Sequence, residues 1–471
     1  MNKNEIKFSD ATPKFIIILR RTDMELIGTI GLLLAIAVLI VGAYKGIGPL
    51  PLTILASLVV VFTNGISVWT GFSDAYMRGY TGVYSSFFLL FAFSSLYAKL
   101  MDTSGSAAAI GFQFIDWFGK KRVMLVCTLI VSVLTYGGVS LFVVVYACAP
   151  VMFLLFKEAN LPRHLTMACF VTGSAAYTMT SLPGTPALTN VIPTQFLGTT
   201  LTAAPVLGIV ASIALFIMCM AYMNREEKKA VAAGEVWTYS ENLDPALYEI
   251  KDRSVLPSTA KAFTPMIVLL LFIIIGVNMT DPATGEKYNS TMIATYAMLA
   301  GSAITYFINL DKFKGKSMKA IISAGLDGGI SGIGGLAGVT AFGTVVQSTE
   351  AFQRIVDAIL RMEMNPYIRG VISTMAISGI TGSSSGGLRI MYSALADSFV
   401  TSGADLGVLH RLTAIAAGSL DTLPHASGLF LTMAVLGLNH KNSYKHVFAC
   451  TVAIPFVVTV FLTAFAVIAN I

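Results

Sequence analysis

Asp421 and His425 fall in one short run, Ser419-Leu420-Asp421-Thr422-Leu423-Pro424-His425, inside an otherwise apolar stretch. An aspartate so placed can bind a cation or accept a proton, and a histidine one helical turn on can share that proton or bind a substrate. Either can equally be a satisfied polar contact between helices. Three other runs share this small and polar character: Tyr136-Gly137-Gly138-Val139-Ser140, Thr178-Met179-Thr180-Ser181-Leu182-Pro183-Gly184-Thr185-Pro186, and Thr381-Gly382-Ser383-Ser384-Ser385-Gly386-Gly387. Their glycines let a ligand approach the backbone, and a helix that restarts after such a run offers free N–H groups to a carboxylate. Ser140, Ser383, Ser384 and Ser385 are hydroxyl donors, while Thr180, Thr185 and Thr422 can donate to a substrate or offer oxygen to a cation. The competing reading of the same residues is close packing between helices. Arg389, just beyond the third run, either neutralises a substrate carboxylate or pairs with Asp397.

The elements that must hold these runs are transmembrane helices. The 471-residue chain is 55% hydrophobic and 12% charged, about half the charge of an ordinary soluble protein. Apolar spans fall at 26–44, 50–67, 80–98, 165–190, 203–223, 264–279, 292–308, 320–346, 410–438 and 446–469. Two more stretches, 121–156 and 366–402, are broken in the middle. Irregular backbone in a bilayer is tolerated only where it is buried in protein or lines a cavity, so four broken segments imply one central site. The prolines 183, 186 and 424 reinforce the interruptions by removing donors and clashing with the preceding turn.

The net charge of +6 sits in short loops, as the positive-inside effect requires, and implies no nucleic-acid partner. The five cysteines lack CxxC or Cys/His spacing and read as small core residues. No nucleophile–base pair, metal cluster or nucleotide-binding loop stands out, so neither an enzyme nor an ATP-driven pump is expected, and no cofactor. The polar tail 1–25 shows no cleavage signal of a secretory leader.

The halves on either side of the hydrophilic linker 224–262 echo each other. Arg163-His164-Leu165-Thr166 matches His410-Arg411-Leu412-Thr413, Gly173-Ser174 matches Gly418-Ser419, and Leu182-Pro183 matches Leu423-Pro424. Each half, 26–223 and 263–471, then contains spans, an amphipathic segment (102–118, 349–362), a hairpin and an interrupted span. If the hairpins 121–156 and 366–402 are re-entrant, each half crosses an odd number of times and the second is inverted, a recurring design of secondary transporters. The expected fold is an all-α polytopic membrane protein of two inverted-topology repeats, with about ten transmembrane helices and two re-entrant hairpins. The basic loops, including the linker, fall on one side, which is therefore cytoplasmic. The same parity puts the N-terminal tail outside despite its own basic residues.

The runs LTYGGVSLFVVVYACAP (134–150), TMTSLPGTPALTNVIPTQFLGTT (178–200), GSSSGGL (382–388) and LDTLPHASG (420–428) resemble the GntP family of gluconate-type permeases. Within it they look most like the branch associated with short hydroxy acids such as 3-hydroxybutyrate. The resemblance implies the ion-transporter superfamily fold, a homodimer with an elevator movement, and symport of a small carboxylate with protons or sodium across a bacterial inner membrane. It also makes Gly137, Gly138 and Ser140 the first hairpin tip and Ser383, Ser384 and Ser385 the second, with Thr185, Asp421 and Thr422 in the facing breaks; with Thr180, Gly184, Gly386, Arg389 and His425, read from their own chemistry, the two tips and Thr185 form the expected substrate-binding set. Asp421 and Thr422 would serve the coupling ion; sodium at the hairpin tips is the one metal ion the reading admits. The break segments are less polar than those of gluconate permeases proper, which favours a smaller, less hydroxylated substrate. Gluconate, lactate or citrate permeases and a passive organic-anion channel are the alternatives.

Overall fold

The structure is a computed structural model that describes residues 12–119, 122–136, 141–185, 187–240, 253–276, 279–280, 282–283, 285, 288 and 290–469. It is helical throughout, with no β-strand among the described residues. The first half comprises α1 (Thr12–Tyr44), α2 (Pro49–Thr63), α3 (Val68–Thr103), α4 (Ser106–Phe118), α5 (Val123–Tyr136), α6 (Leu141–Glu158), α7 (Leu165–Ala176), α8 (Leu188–Leu197) and α9 (Pro205–Ala232). The second comprises α10 (Thr259–Gly276), α11 (Ser290–Ile308), the short α12 (Leu310–Phe313), α13 (Met318–Gln347), α14 (Glu350–Leu360), α15 (Pro366–Thr381), α16 (Ser384–Val400), α17 (Leu406–Leu420), α18 (Ser427–Val435) and α19 (His440–Ala469). With α12 set aside and α1–α2 taken against α10–α11, the two halves run in the same order: a long helix, a short amphipathic one, a helical pair, a broken helix and a final long helix.

Among the described residues, six helices are long and apolar enough to cross a membrane: Glu25–Tyr44, Val68–Thr103, Pro205–Ala232, Thr291–Ile308, Met318–Gln347 and His440–Ala469. Three sequence expectations need adjustment. The spans expected at 165–190 and 410–438 are each two shorter helices, because their backbone unwinds between Ala176 and Leu188 and between Leu420 and Ser427. The connection between the spans expected at 165–190 and 203–223 shrinks, because α8 continues to Leu197 and ends on Gly198, whose left-handed φ of +66° stops a helix cheaply. Helix α1 begins at Thr12, well inside the expected polar tail; hydropathy marks where lipid begins, while helix formation extends further.

Two bodies can be distinguished by what packs on what. In the first, α3 and α13 cross so closely that a Cβ on Gly329 would lie 2.6 Å from the Phe91 carbonyl oxygen and 2.7 Å from Ala92 Cα. Gly325 and Gly329 form a GxxxG pair, the spacing that lets helix backbones meet and recover packing energy in a membrane. Helices α2 and α11 also pack on this pair. In the second body, α15 packs on α16 and α17, α16 on α8, and α17 on α19. All five cysteines are buried and free of disulfides.

The α15–α16 pair shows how its sequence dictates its shape. Asn365 caps α15 by accepting from the Tyr367 N–H at 3.0 Å, with Pro366 in the first turn. Gly382, at φ +59°, ends it. Ser383 immediately caps α16, its hydroxyl accepting from the Gly386 N–H at 3.1 Å. The arms then return side by side: a Cβ on Gly387 would lie 2.7 Å from Ser378 Cα, so only glycine permits this crossing.

Candidate functional site

The broken helices and the hairpin tip meet one another. A Cβ on Gly382, at the tip, would stand 3.2 Å from Ala426 Cα and 3.4 Å from His425 Cδ2. Ser384, in the first turn of α16, is the side chain that interacts with the Asp421 carboxyl group. The first break touches the second half through Thr180, whose methyl group would lie 2.5 Å from a Cβ on Gly418. The residues flanking the other expected tip reach both breaks. Tyr136 donates its hydroxyl to the Pro183 carbonyl at 3.2 Å, and Leu141 Cδ2 lies 3.7 Å from where Gly428 would carry a Cβ. Gly137, Gly138 and Ser140 themselves lie outside the described residues.

At the second break, polar atoms are left open. His425 is 4% exposed; the Gly379 and Ile380 carbonyls stand beside its ring, but neither ring nitrogen makes a hydrogen bond of good geometry. Asp421 Oδ1 is in the same condition. Buried polar atoms are ordinarily satisfied, and one that is not marks either a strained site or a site built for something else to bind. The restarting helices α8 and α18 also begin without a side-chain cap. Their first N–H groups and positive dipole ends therefore face the breaks.

At the first break the same kinds of residue are occupied. The Thr178 hydroxyl bonds the Gly173 carbonyl and the Thr135 hydroxyl, each at 2.8 Å. Ser181 pairs with the Ser212 hydroxyl at 2.8 Å. Thr180 donates to the Ala176 carbonyl at 3.2 Å, and Thr185 accepts from the Ala187 N–H at 3.4 Å. Gly184 holds a φ of +88° that an L side chain resists, and its N–H bonds the Leu201 carbonyl at 2.9 Å.

The other expected site residues are distributed unevenly. Ser383 spends its hydroxyl on the helix cap, while Ser385 and Gly386 are half-buried in the same turn as Ser384. Thr422 turns toward α19, its hydroxyl 2.7 Å from that of Thr451. Arg389 is exposed on α16, and so is Asp397; no ion pair joins them, because they lie more than two helical turns apart. Among the described residues no three His, Cys, Asp or Glu side chains gather as a metal site.

Sequence reasoning missed one cluster. His410 and Arg411 were matched only as a repeat marker, yet both are 0% exposed and joined to Asn190. An arginine heading an apolar span was the available signal. A cavity of about 640 Å³ opens elsewhere, between α2, α3 and α13 on one wall and α6 and α18 on the other, and no residue of the cluster lines it. Lys99, Tyr146, Phe430 and His440 help to line it. His440 connects it to the second break, its Nε2 lying 2.8 Å from the Pro424 carbonyl oxygen.

The model of the GntP family permeases matches residues 24–468. An uncharacterized transporter of Bacillus subtilis (strain 168), YxjC, is 31% identical over 449 residues, covering 89% of this chain and 95% of its own. The crystal structure of the YdaH transporter of Alcanivorax borkumensis aligns with a TM-score of 0.41 at 12% identity, covering 84% of this chain and 88% of that one.

Proposed function

Because the chain belongs to the GntP permease family, a family of membrane transporters, we propose that it is a secondary active symporter. Its substrate in this reading is a short-chain monocarboxylate or hydroxy acid of the 3-hydroxybutyrate kind, moved with a proton or sodium ion across a bacterial inner membrane. The observation that carries the reading is the unpartnered Asp421 Oδ1 and His425 ring, buried where the Gly382–Ser384 tip meets the second break. An acid and an imidazole with open valences, next to uncapped helix starts, suit a cation and a carboxylate bound together.

The proposed architecture is two inverted repeats with about ten crossings and two re-entrant hairpins, joined by a cytoplasmic linker and paired as a homodimer. The glycine-locked α3–α13 pair serves as scaffold, and the body carrying the hairpins and broken helices moves against it as an elevator. The 640 Å³ cavity between the bodies is the cytoplasmic approach to the site. Its apolar lining, with Lys99 and His440, fits a small and sparsely hydroxylated anion better than a sugar acid.

The test is uptake of labelled 3-hydroxybutyrate, lactate, gluconate and citrate into proteoliposomes under separately imposed proton and sodium gradients. Accumulation of a short monocarboxylate under one gradient is expected. Equilibration that ignores both gradients would identify a channel, and no movement of any carboxylate would end the reading.

A further inference from the structure

Arg411 is a full positive charge, 0% exposed, in the second turn of α17. Its bonds go to neutral oxygens. Nε and Nη2 donate to the Ala203 carbonyl at 3.2 and 2.9 Å, Nη2 also to the Leu201 carbonyl at 3.2 Å, and Nη1 to Asn190 Oδ1 at 3.0 Å. Among the described residues no carboxylate pairs with it. A buried cation without a counter-ion is expensive, and carbonyl dipoles offset only part of the loss of water.

The guanidinium is coupled to the first break by one side chain. Asn190 takes Arg411 on its oxygen and gives its amide hydrogens to the Thr185 and Leu201 carbonyls, both at 2.8 Å. His410 completes the cluster, with Nε2 at 2.9 Å from Asn190 Oδ1 and Nδ1 at 2.7 Å from the Thr199 hydroxyl. The charge also lies against the break directly. A Cβ on Gly208 would meet the Ser181 carbonyl oxygen at 2.6 Å, Pro183 Cγ at 2.9 Å and Arg411 Nε at 3.1 Å.

We infer that Arg411 is a positioning residue for an anionic substrate. Through Asn190 it fixes the Thr185 backbone, and its uncompensated charge makes the first break the pole that attracts the carboxylate. Asp421 is the opposite pole, where the cation binds. The inference rests on the carboxylate-symport reading and assigns the charges within it. A carboxylate some 8–10 Å from a cation in a partly buried site gains about tenfold in affinity.

The experiment compares N190D with N190A in proteoliposomes, by saturation kinetics of labelled 3-hydroxybutyrate at fixed pH. Both variants lose the amide donors to Thr185 and Leu201, but only N190D supplies a carboxylate beside Nη1, so their ratio isolates the charge. KM is expected to be about tenfold higher in N190D than in N190A, with Vmax per reconstituted transporter within about twofold. R411K and R411Q provide the second pair: R411Q should raise KM by about tenfold and R411K by less than about threefold. Equal KM in N190D and N190A, or equal losses in R411K and R411Q at unchanged KM, would reduce Arg411 to a clasp on residues 201–203. Wild-type uptake in the same preparation separates the two claims. A transporting wild type with equal KM in the variants overturns only the role of Arg411, whereas a wild type that carries no carboxylate overturns both.

Discussion

The two helix breaks occupy matching places in the two halves but treat their polar groups in opposite ways. In the first, Thr178, Ser181 and Gly184 are each bonded to a neighbour within the protein, and Asn190 holds the Thr185 carbonyl. In the second, His425 and Asp421 Oδ1 make no hydrogen bond of good geometry, although the Gly379 and Ile380 carbonyls stand beside the ring and Ser384 beside the acid. The first break is thus a pre-set backbone shape tied through Asn190 to a fixed cation, Arg411 of α17. In the proposed function, the second carries the groups whose bonding a ligand completes. The two halves hold similar unwound helices in the same order, and the residues around them differ: under the proposed function, one break is shaped in advance and the other responds to what binds.

The most severe test of this division is Asp421→Asn. Gradient-driven accumulation should fall to the level of gradient-free vesicles, while exchange of labelled for unlabelled substrate survives; intact accumulation would remove Asp421 from coupling. His425→Gln should raise KM for the carboxylate by about tenfold, the equivalent of one charge-assisted hydrogen bond. A KM within twofold of wild type would make His425 a packing residue. Ser384→Ala should raise KM by about threefold to fivefold, in line with a single neutral hydrogen bond, with the amount of folded transporter unchanged. An unaltered KM returns that serine to shaping the tip. The smallest effect on transport is expected from Thr178→Val in the first break. It should cost about 1 kcal/mol of stability in a thermal-unfolding assay and leave KM alone. A rise in KM comparable to that of His425→Gln would erase the contrast between the breaks.

The division was half legible in the sequence. Gly382-Ser383 reads as a stop followed by a start because each residue has its own local chemistry, a left-handed terminator and an N-cap. Pro183 and Pro424 likewise announce unwinding without help from neighbours. What could not be read depends on distant partners. Arg411 is held by carbonyls at 201 and 203, about half a chain away and without any side-chain signature. Arg389 sits beyond a turn whose geometry sets the phase of the next helix, and that phase leaves it on the exposed side of α16. Helix α8 hid because Pro193, Asn190 and two threonines make its sequence look like a loop, whereas packing against α16 and α17 makes it a helix. The bond from the Thr422 hydroxyl to Thr451 was also illegible, because the order of residues within a break does not say which way each side chain turns.

The burial of all five thiols has a practical reach. Cys127, Cys148, Cys169, Cys219 and Cys450 are each at most 1% exposed, so a membrane-impermeant maleimide meets almost no native target. The unaltered chain is therefore its own silent background for site-directed labelling. Thr200 and Lys441, both exposed, lie at opposite ends of the body that holds the breaks under the inverted-repeat arrangement. A cysteine in place of Thr200 should label in intact cells, and one in place of Lys441 only after permeabilisation. The reverse pattern would turn the proposed orientation over, and labelling of both from one side would undo the inversion.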